Sequence, residues 1–296
     1  MKTRHSNLDY HLMLLPGTLL LLVFSVVPMF GIVIAFQKFV PAKGFFGSQW
    51  VGLDNILFMF QIPDSRQVFV NTVVIAVAKI VVNLVIPLIA ALLLNEVRLR
   101  WYKRAVQTVI YMPHFLSWVV FAAMIGNTFS YDGFVNNALR VFDVEPILFL
   151  SSNVWFRPVI VFTDAWKSFG FGTVIYLGAL TAIDPALYES ASIDGAKRFQ
   201  QLLLITLPGI VATVILMMTL SLGNILNAGF EQILNLYNPL VYSTGDIIDT
   251  YVYRVGLVGR QYGIGTAVGL LKSVVSFFLI WLSYGLASRY ANYRIF

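Results

Sequence analysis

Residues 183–208 read IDPALYESASIDGAKRFQQLLLITLP, a polar interval between two strongly apolar runs. The interval is patterned for order. Asp184 suits a helix N-cap, where a carboxylate accepts from an unpaired backbone N–H, and Pro185 suits the first helical position, where a missing N–H costs nothing. Ser190, Ala191, Ser192 and Ala196 keep side-chain bulk low, so another protein can approach the backbone. Gly195 permits a sharp turn that a residue with a Cβ resists. Leu202, Leu203 and Leu204 are apolar again, and Pro208 opens the next apolar run. The alternative is a plain amphipathic linker helix, but so many constrained positions at fixed spacing are more than a linker needs.

The rest of the chain has the composition of a membrane scaffold. Of its 296 residues 58% are hydrophobic and 11% charged, and the mean hydropathy is +0.79. Soluble domains carry roughly 25% charged residues. The absence of cysteine excludes a disulfide framework, a thiolate metal site and a cysteine nucleophile. His5, His11 and His114 are far apart and offer no metal-ligand spacing. No catalytic or metal-ligating set is expected.

Six runs are long enough, near or above ~20 residues, to cross a bilayer: 12–36, 68–94, 105–129, 156–182, 208–230 and 264–287. The first is too long for a signal-peptide core and is read as a retained span. The expected organisation is an N-terminal segment 1–11, one six-span domain 12–287 that includes the 183–208 loop, and a tail 288–296. The Ile56–Phe60 patch (ILFMF) in the first long loop is expected at the membrane interface. Six spans put both termini on one side. Ten Lys and Arg fall on that side against seven on the other, and the ten sit in shorter segments. Positive charge marks the cytoplasmic side, so both termini and Glu189 are expected there. The net charge of +6 is thus a signature of orientation and not of nucleic acid.

Four charges fall well inside the spans, Lys79, Asp164, Lys167 and Lys272, with Arg157 at the outer end of the fourth span counted with the outer side. Each costs roughly 2.5–3.5 kcal/mol on insertion scales, so each is a candidate functional residue. Counting from the outer ends at 1.5 Å per residue, all four lie about 12–17 Å deep. That common depth suggests a shared polar cavity. Asp164 and Lys167, three apart, can also pair along one helix face. Three lysines against one aspartate leave a positive surplus.

The 183–208 interval resembles the cytoplasmic coupling loop of ATP-driven (ABC) importer permeases, E-A-A-x-x-x-G followed by I-x-L-P. It stands here as Glu189-Ser190-Ala191, Gly195 and Ile205-Thr206-Leu207-Pro208, with Ser190 in place of the usual Ala. Leu187-Tyr188-Glu189 and Ile193-Asp194-Gly195-Ala196 resemble the carbohydrate-importing, maltose-type branch. Shorter marks run along nearly the whole chain: Val51 to Asn55 (VGLDN), Asn71-Thr72, Tyr111 to Phe115 (YMPHF), Tyr237-Asn238-Pro239 and Asp249 to Arg254 (DTYVYR). The last two resemble the polysaccharide-fragment subgroup.

The resemblance implies an all-α membrane protein of the type I importer permease fold, in a bacterial cytoplasmic (inner) membrane. It implies that Leu187, Tyr188, Glu189, Ser190, Ala191, Asp194, Gly195, Ala196 and Pro208 form the contact with a separate ATPase. This chain has no G-x-x-x-x-G-K-S/T phosphate loop, so ATP and Mg belong to that partner. A second permease subunit, an ATPase dimer and an extracytoplasmic sugar-binding protein are the implied partners. The implied cargo is an oligosaccharide. The positive surplus in the spans would suit an acidic one, such as alginate or pectin fragments. Trp166, Ser168 and Phe171 in the fourth span fall in the stretch that lines the sugar site in that family, and Ser221 in the fifth matches a sugar contact, with Asn224 and Asn227 nearby but out of register. Lys79, Asp164, Lys167 and Lys272 complete the candidate pathway. Two competing readings are an ion-gradient transporter, which favours inverted repeats, and an intramembrane enzyme, which needs a nucleophile–base pair or metal ligands at depth. Neither signature is evident in the sequence.

Overall fold

The computed structural model describes residues 3–223 and 225–290. The chain divides into two compact units, one of residues 1–62 with 251–271 and one of residues 63–250 with 272–296. Among the described residues, four helical stretches are long and apolar enough to cross a membrane alone: Asp9–Phe36, Asp64–Glu96, Arg198–Gly223 and Tyr262–Leu282. Two bent pairs raise the number to six when each pair is taken as one span.

In the first unit, the opening helix α1 (Thr3–Leu21) continues through a wide π turn, Leu22–Val26, and reaches Phe36 as a 3-10 segment. A proline lacks the N–H of the helical ladder, and its ring crowds the carbonyl four residues back. The π turn ends two residues before Pro28, and Val27 N–H reaches back to the Leu22 carbonyl. The same device recurs before Pro208, where Leu207 N–H reaches the Leu202 carbonyl. Strands β1 (Gln37–Lys38) and β2 (Gln49–Trp50) pair antiparallel, and helix α2 (Asp54–Gln61) follows. Asn55 closes this loop by donating Nδ2 to the Ala35 and Gln37 carbonyls, at 2.9 and 3.0 Å. On α2, Leu57, Phe58 and Phe60 are exposed while Met59 is buried. A π-helical stretch, Val252–Val258, leads to Gly259 and Arg260. Arg260 has φ of 56°, a left-handed conformation that costs a residue with a Cβ roughly 1–2 kcal/mol.

The second unit is built on α3 (Pro63–Glu96). It is followed by α4 (Arg100–Tyr111), a 3-10 turn at Met112–Phe115, and α5 (Trp118–Thr128). The expected continuous third span, 105–129, is therefore two helices bent by 104°. Pro113 stops the first, and Ser117 starts the second by accepting from Val120 N–H with its side chain. After the short α6 (Phe134–Arg140), the 26-residue α7 (Phe156–Thr181) is the central helix. It turns by 65° into α8 (Pro185–Ile193). Helix α9 (Arg198–Gly223) starts well before the expected 208, because the π turn carries the helix unbroken past Pro208, and it stops short of the expected 230. The short α10 (Phe230–Leu236) and the long α11 (Tyr262–Tyr290) complete the helices that matter below.

Two clusters make the core of this unit. Ile75, Phe121, Ile125, Phe156, Ile160 and Ile233 fill one, and Ala91, Leu94, Tyr176, Leu177, Leu180 and Ile210 the other. Glycines let α7 meet its neighbours at backbone distance. A Cβ on Gly170 would lie 2.1 Å from the Ile110 carbonyl oxygen, and one on Gly172 would lie 2.9 Å from the Pro87 ring. Buried Asn71 staples a distant segment: its Nδ2 donates to the Ser243 and Asp246 carbonyls, and its Oδ1 accepts from Arg157 at 2.6 Å. Its neighbour Thr72 accepts from Ile248 N–H at 2.9 Å.

Gly170→Ala is expected to lower the thermal midpoint of the purified protein by several degrees, because the clash is with rigid backbone. Gly178→Ala on the same helix, where a Cβ meets nothing within 4 Å, should leave the midpoint within a degree or so.

Candidate functional site

The 183–208 segment is preformed. Asp184 accepts from Ala186 N–H at 2.9 Å and caps α8. At the other end, Gly195 has φ of 80°, Ala196 N–H bonds the Ala191 carbonyl at 2.9 Å, and Gly195 N–H bonds the Ser192 carbonyl at 3.2 Å. These two bonds close the helix with the left-handed glycine stop that satisfies its last carbonyls. Two side-chain bonds tie α8 to α9: Tyr188 Oη meets Thr206 Oγ1 at 2.9 Å, and Gln201 Nε2 donates to Ser192 Oγ at 2.9 Å. Gly209, near the middle of α9, lets that helix lie against Ile183, whose side chain a Cβ there would meet at 2.8 Å. With the inner side so anchored, Leu187, Glu189 and Ile193 are exposed, Ile193 at 87%. Among the described residues nothing pairs with the Glu189 carboxylate. Ser190, Asp194 and Pro208 are also exposed, while Ala191 and Ala196 are half-buried.

The intramembrane charges do not meet in one cavity. Lys79 on α3 pairs with Asp164 on α7 at 3.2 Å, donates to the Ala228 carbonyl at 2.8 Å and bonds Gln232 Oε1. Asn83 Nδ2 donates to the other Asp164 oxygen at 2.8 Å. Asp164 thus pairs across helices and not along α7 with Lys167. Lys167 Nζ instead donates to the carbonyls of Pro113, His114 and Leu116, at 3.3, 2.9 and 2.7 Å, and lies over the Trp118 ring. An ammonium has three donors, and all three are used. Lys272 on α11 pairs with Asp249 at 2.5 Å. The positive surplus inferred from the spans therefore shrinks. Asp249, which lies outside the expected spans, neutralises Lys272, and backbone carbonyls solvate Lys167.

The other candidates are more available. Trp166 and Phe171 are partly exposed on α7, Trp166 against Phe121 at 5.2 Å and Phe171 stacked on His114 at 4.7 Å and 7°. Ser168 and Ser221 are half-buried. Asn227 lies beyond the end of α9 and is exposed. Asn224 lies outside the described residues.

Gln232 is the residue that sequence reading missed. It is fully buried on α10 and donates Nε2 to the Ile160 carbonyl and Thr163 Oγ1, at 2.8 and 2.9 Å, while its Oε1 receives Lys79. Its only sequence signal is a polar residue inside an apolar turn, which an exposed glutamine shares. Among the described residues no group of three His, Cys, Asp or Glu could hold a metal ion.

A helical membrane chain with a preformed, exposed helix between two spans has the build of a transport subunit that takes its drive from elsewhere. The family model "Binding-protein-dependent transport system inner membrane component" matches residues 83–292. The chain belongs to that family of transport subunits, which are not themselves enzymes. Bacillus subtilis (strain 168) protein LplB is 42% identical over 287 residues, 97% of this chain and 90% of its own. The polygalacturonan/rhamnogalacturonan transport system permease protein YteP of the same organism is 40% identical, covering 97% and 89%. A crystal structure of a bacterial ABC transporter involved in the import of the acidic polysaccharide alginate has a chain that superposes with a TM-score of 0.90, 36% identity and 97% coverage of both chains. A second, of a bacterial alginate ABC transporter in complex with alginate pentasaccharide-bound periplasmic protein, superposes with a TM-score of 0.88 and 96% coverage of both.

Lys79→Met is expected to destabilise by roughly 3–5 kcal/mol, because it strands Asp164 at depth. Lys79→Met with Asp164→Leu should recover part of that loss. Thermal unfolding in detergent of wild type, Lys79→Met, Asp164→Leu and the double variant checks this, and additive losses would refute the pairing.

Proposed function

We propose that this chain is one permease subunit of an ATP-driven importer for an oligosaccharide that carries uronate groups. The observation that carries the reading is the likeness over 97% of the chain to the alginate importer subunit. The likeness to the polygalacturonan/rhamnogalacturonan permease adds to it, since alginate and polygalacturonan are both polymers of uronic acids. In this reading residues 12–287 act as the permease body in a bacterial inner membrane, with both termini in the cytoplasm. A second, different permease subunit completes the pathway. A binding protein outside delivers the sugar, and ATP and Mg are held by an ATPase dimer inside.

Coupling runs through α8. Glu189 pairs with a basic residue of the ATPase, Leu187 and Ile193 bury against it, and the small Ser190 and Ala191 allow close approach. A docked α8 passes motion to both neighbouring spans, because its ends are held to α7 and α9 by short, fully bonded turns. Inside the membrane, Trp166, Phe171, Ser168 and Ser221, with Asn224 and Asn227, offer rings for sugar faces and hydroxyl and amide groups for sugar hydroxyls. Lys79, Asp164, Lys167 and Lys272 hold the helices that carry them and set the local charge.

Glu189→Ala is expected to reduce ATP-dependent uptake of oligogalacturonate into vesicles bearing the complete complex by at least tenfold. The cost of leaving a partner charge unpaired at such an interface is ~2–5 kcal/mol. Uptake that persists without ATP hydrolysis would overturn the reading in favour of an ion-driven carrier. Because the chain lacks cysteine, single replacements report sidedness directly. A thiol at Arg98 should react only from the cytoplasmic side, and one at Lys43 only from outside.

A further inference from the structure

We infer that the first unit carries a receiving site for a uronate group, separate from the polar residues at mid-membrane depth. The site is a cavity of about 750 Å³, lined from one side by residues 37–61 and from the other by residues 260–264. That volume lies in the range of small-ligand pockets, roughly 300–1,000 Å³.

Its chemistry is that of an acidic sugar. Lys38 and Arg260 supply two cations, both exposed. Among the described residues neither has an ion pair. Gln61 and Gln261 supply amides for hydroxyl groups, and the Phe39 and Tyr262 rings, edge to face at 6.0 Å, supply an apolar wall. Asp54 is the single carboxylate in the lining, on the first turn of α2, and it accepts from hydroxyls while leaving the site net positive.

Three further features point to a built site. Arg260 holds a left-handed backbone that glycine would adopt without cost, so an arginine there is retained against strain. Its neighbours open α11, whose first backbone N–H groups and positive dipole end favour an anion at the rim. Gly263 lets that helix end sit against β1 and α2: a Cβ there would lie 2.5 Å from the Gln37 carbonyl and 2.7 Å from Asn55 Nδ2. Gln37 also lines the cavity, and its side chain, 1% exposed, keeps Oε1 without a hydrogen-bond partner.

The inference rests on the proposed function for its ligand and its sidedness. On that topology the cavity opens outside, where a delivered sugar arrives first. The cations would hold one uronate by charge-assisted bonds while the rest of the chain is handed on.

The test uses the reconstituted complex with its binding protein. Oligogalacturonate is coupled by a carbodiimide, which joins a carboxylate to a lysine amine in contact with it, and the modified lysines are mapped by mass spectrometry. Coupling at Lys38 is expected to exceed that at exposed Lys43 about tenfold, and Arg260→Gly should reduce it about tenfold. Arg260→Gly keeps the backbone turn, so its effect is not one of misfolding. The same variant should slow uptake of oligogalacturonate by a similar factor. Coupling at Lys38 no greater than at Lys43, or coupling of Lys38 to the binding protein in place of the sugar, would overturn the site. Failure of the wild-type complex to import any uronate oligosaccharide would instead overturn the substrate class. Uptake by wild type that survives Arg260→Gly unchanged removes the site alone.

Discussion

Three carbonyls lie at the break between α4 and α5, where the α-helical ladder is interrupted, and one ammonium bonds all of them, the Pro113 oxygen also accepting from Leu116 N–H at 3.2 Å. Lys167 reaches from α7 to the Pro113, His114 and Leu116 oxygens. Backbone that is not helical survives at membrane depth only where protein groups satisfy it. Lys167 thus helps to satisfy the break in the third span, together with the Leu116 N–H bond to Pro113 and the Ser117 cap. The same face of α7 holds Asp164 against Lys79 and Thr163 against Gln232. One helix thus carries the polar bonds that lock α3, α5 and α10 in place, while its glycines set the distance to α3 and α4.

The coupling segment inherits its rigidity from that helix. Helix α8 leaves α7 after a three-residue turn and is closed by the Gly195 stop. It is then bonded to α9 through Tyr188 and Gln201. A loop without these bonds would absorb a push from a docked partner. Here a displacement of α8 must be shared by α7 and α9. The long exposed side chains Leu187 and Ile193 stay on the outer face because the inner face is taken.

Much of this was legible in residue types. The coupling helix, its cap and its glycine stop follow from Asp184, Pro185 and Gly195 alone, since each is a local preference of the backbone. The short family marks prove to be backbone staples. Asn55 closes the first loop, Asn71 and Thr72 fasten residues 243–248, and Asn238 donates to the Leu150 carbonyl while capping Leu240. The charge layer was legible as position but not as function. Depth counting expected Lys79, Asp164, Lys167 and Lys272 at one level, yet it could not find Asp249, Gln232 or the three carbonyls that share their charge. Those partners are 23 to 153 residues away in the chain.

By itself the sequence determined the class of molecule, because hydropathy, span length and the placement of Lys and Arg are additive properties that need no contacts. It also determined the coupling helix, whose ends are set within a few residues. Only the tertiary structure decided which charges are paired, where the third span breaks, and that α9 runs through Pro208. It alone gathered Lys38, Arg260 and Tyr262 around one cavity. Each of these depends on which distant carbonyl, carboxylate or ring a side chain meets. That choice is made by packing, not by the chain's local order.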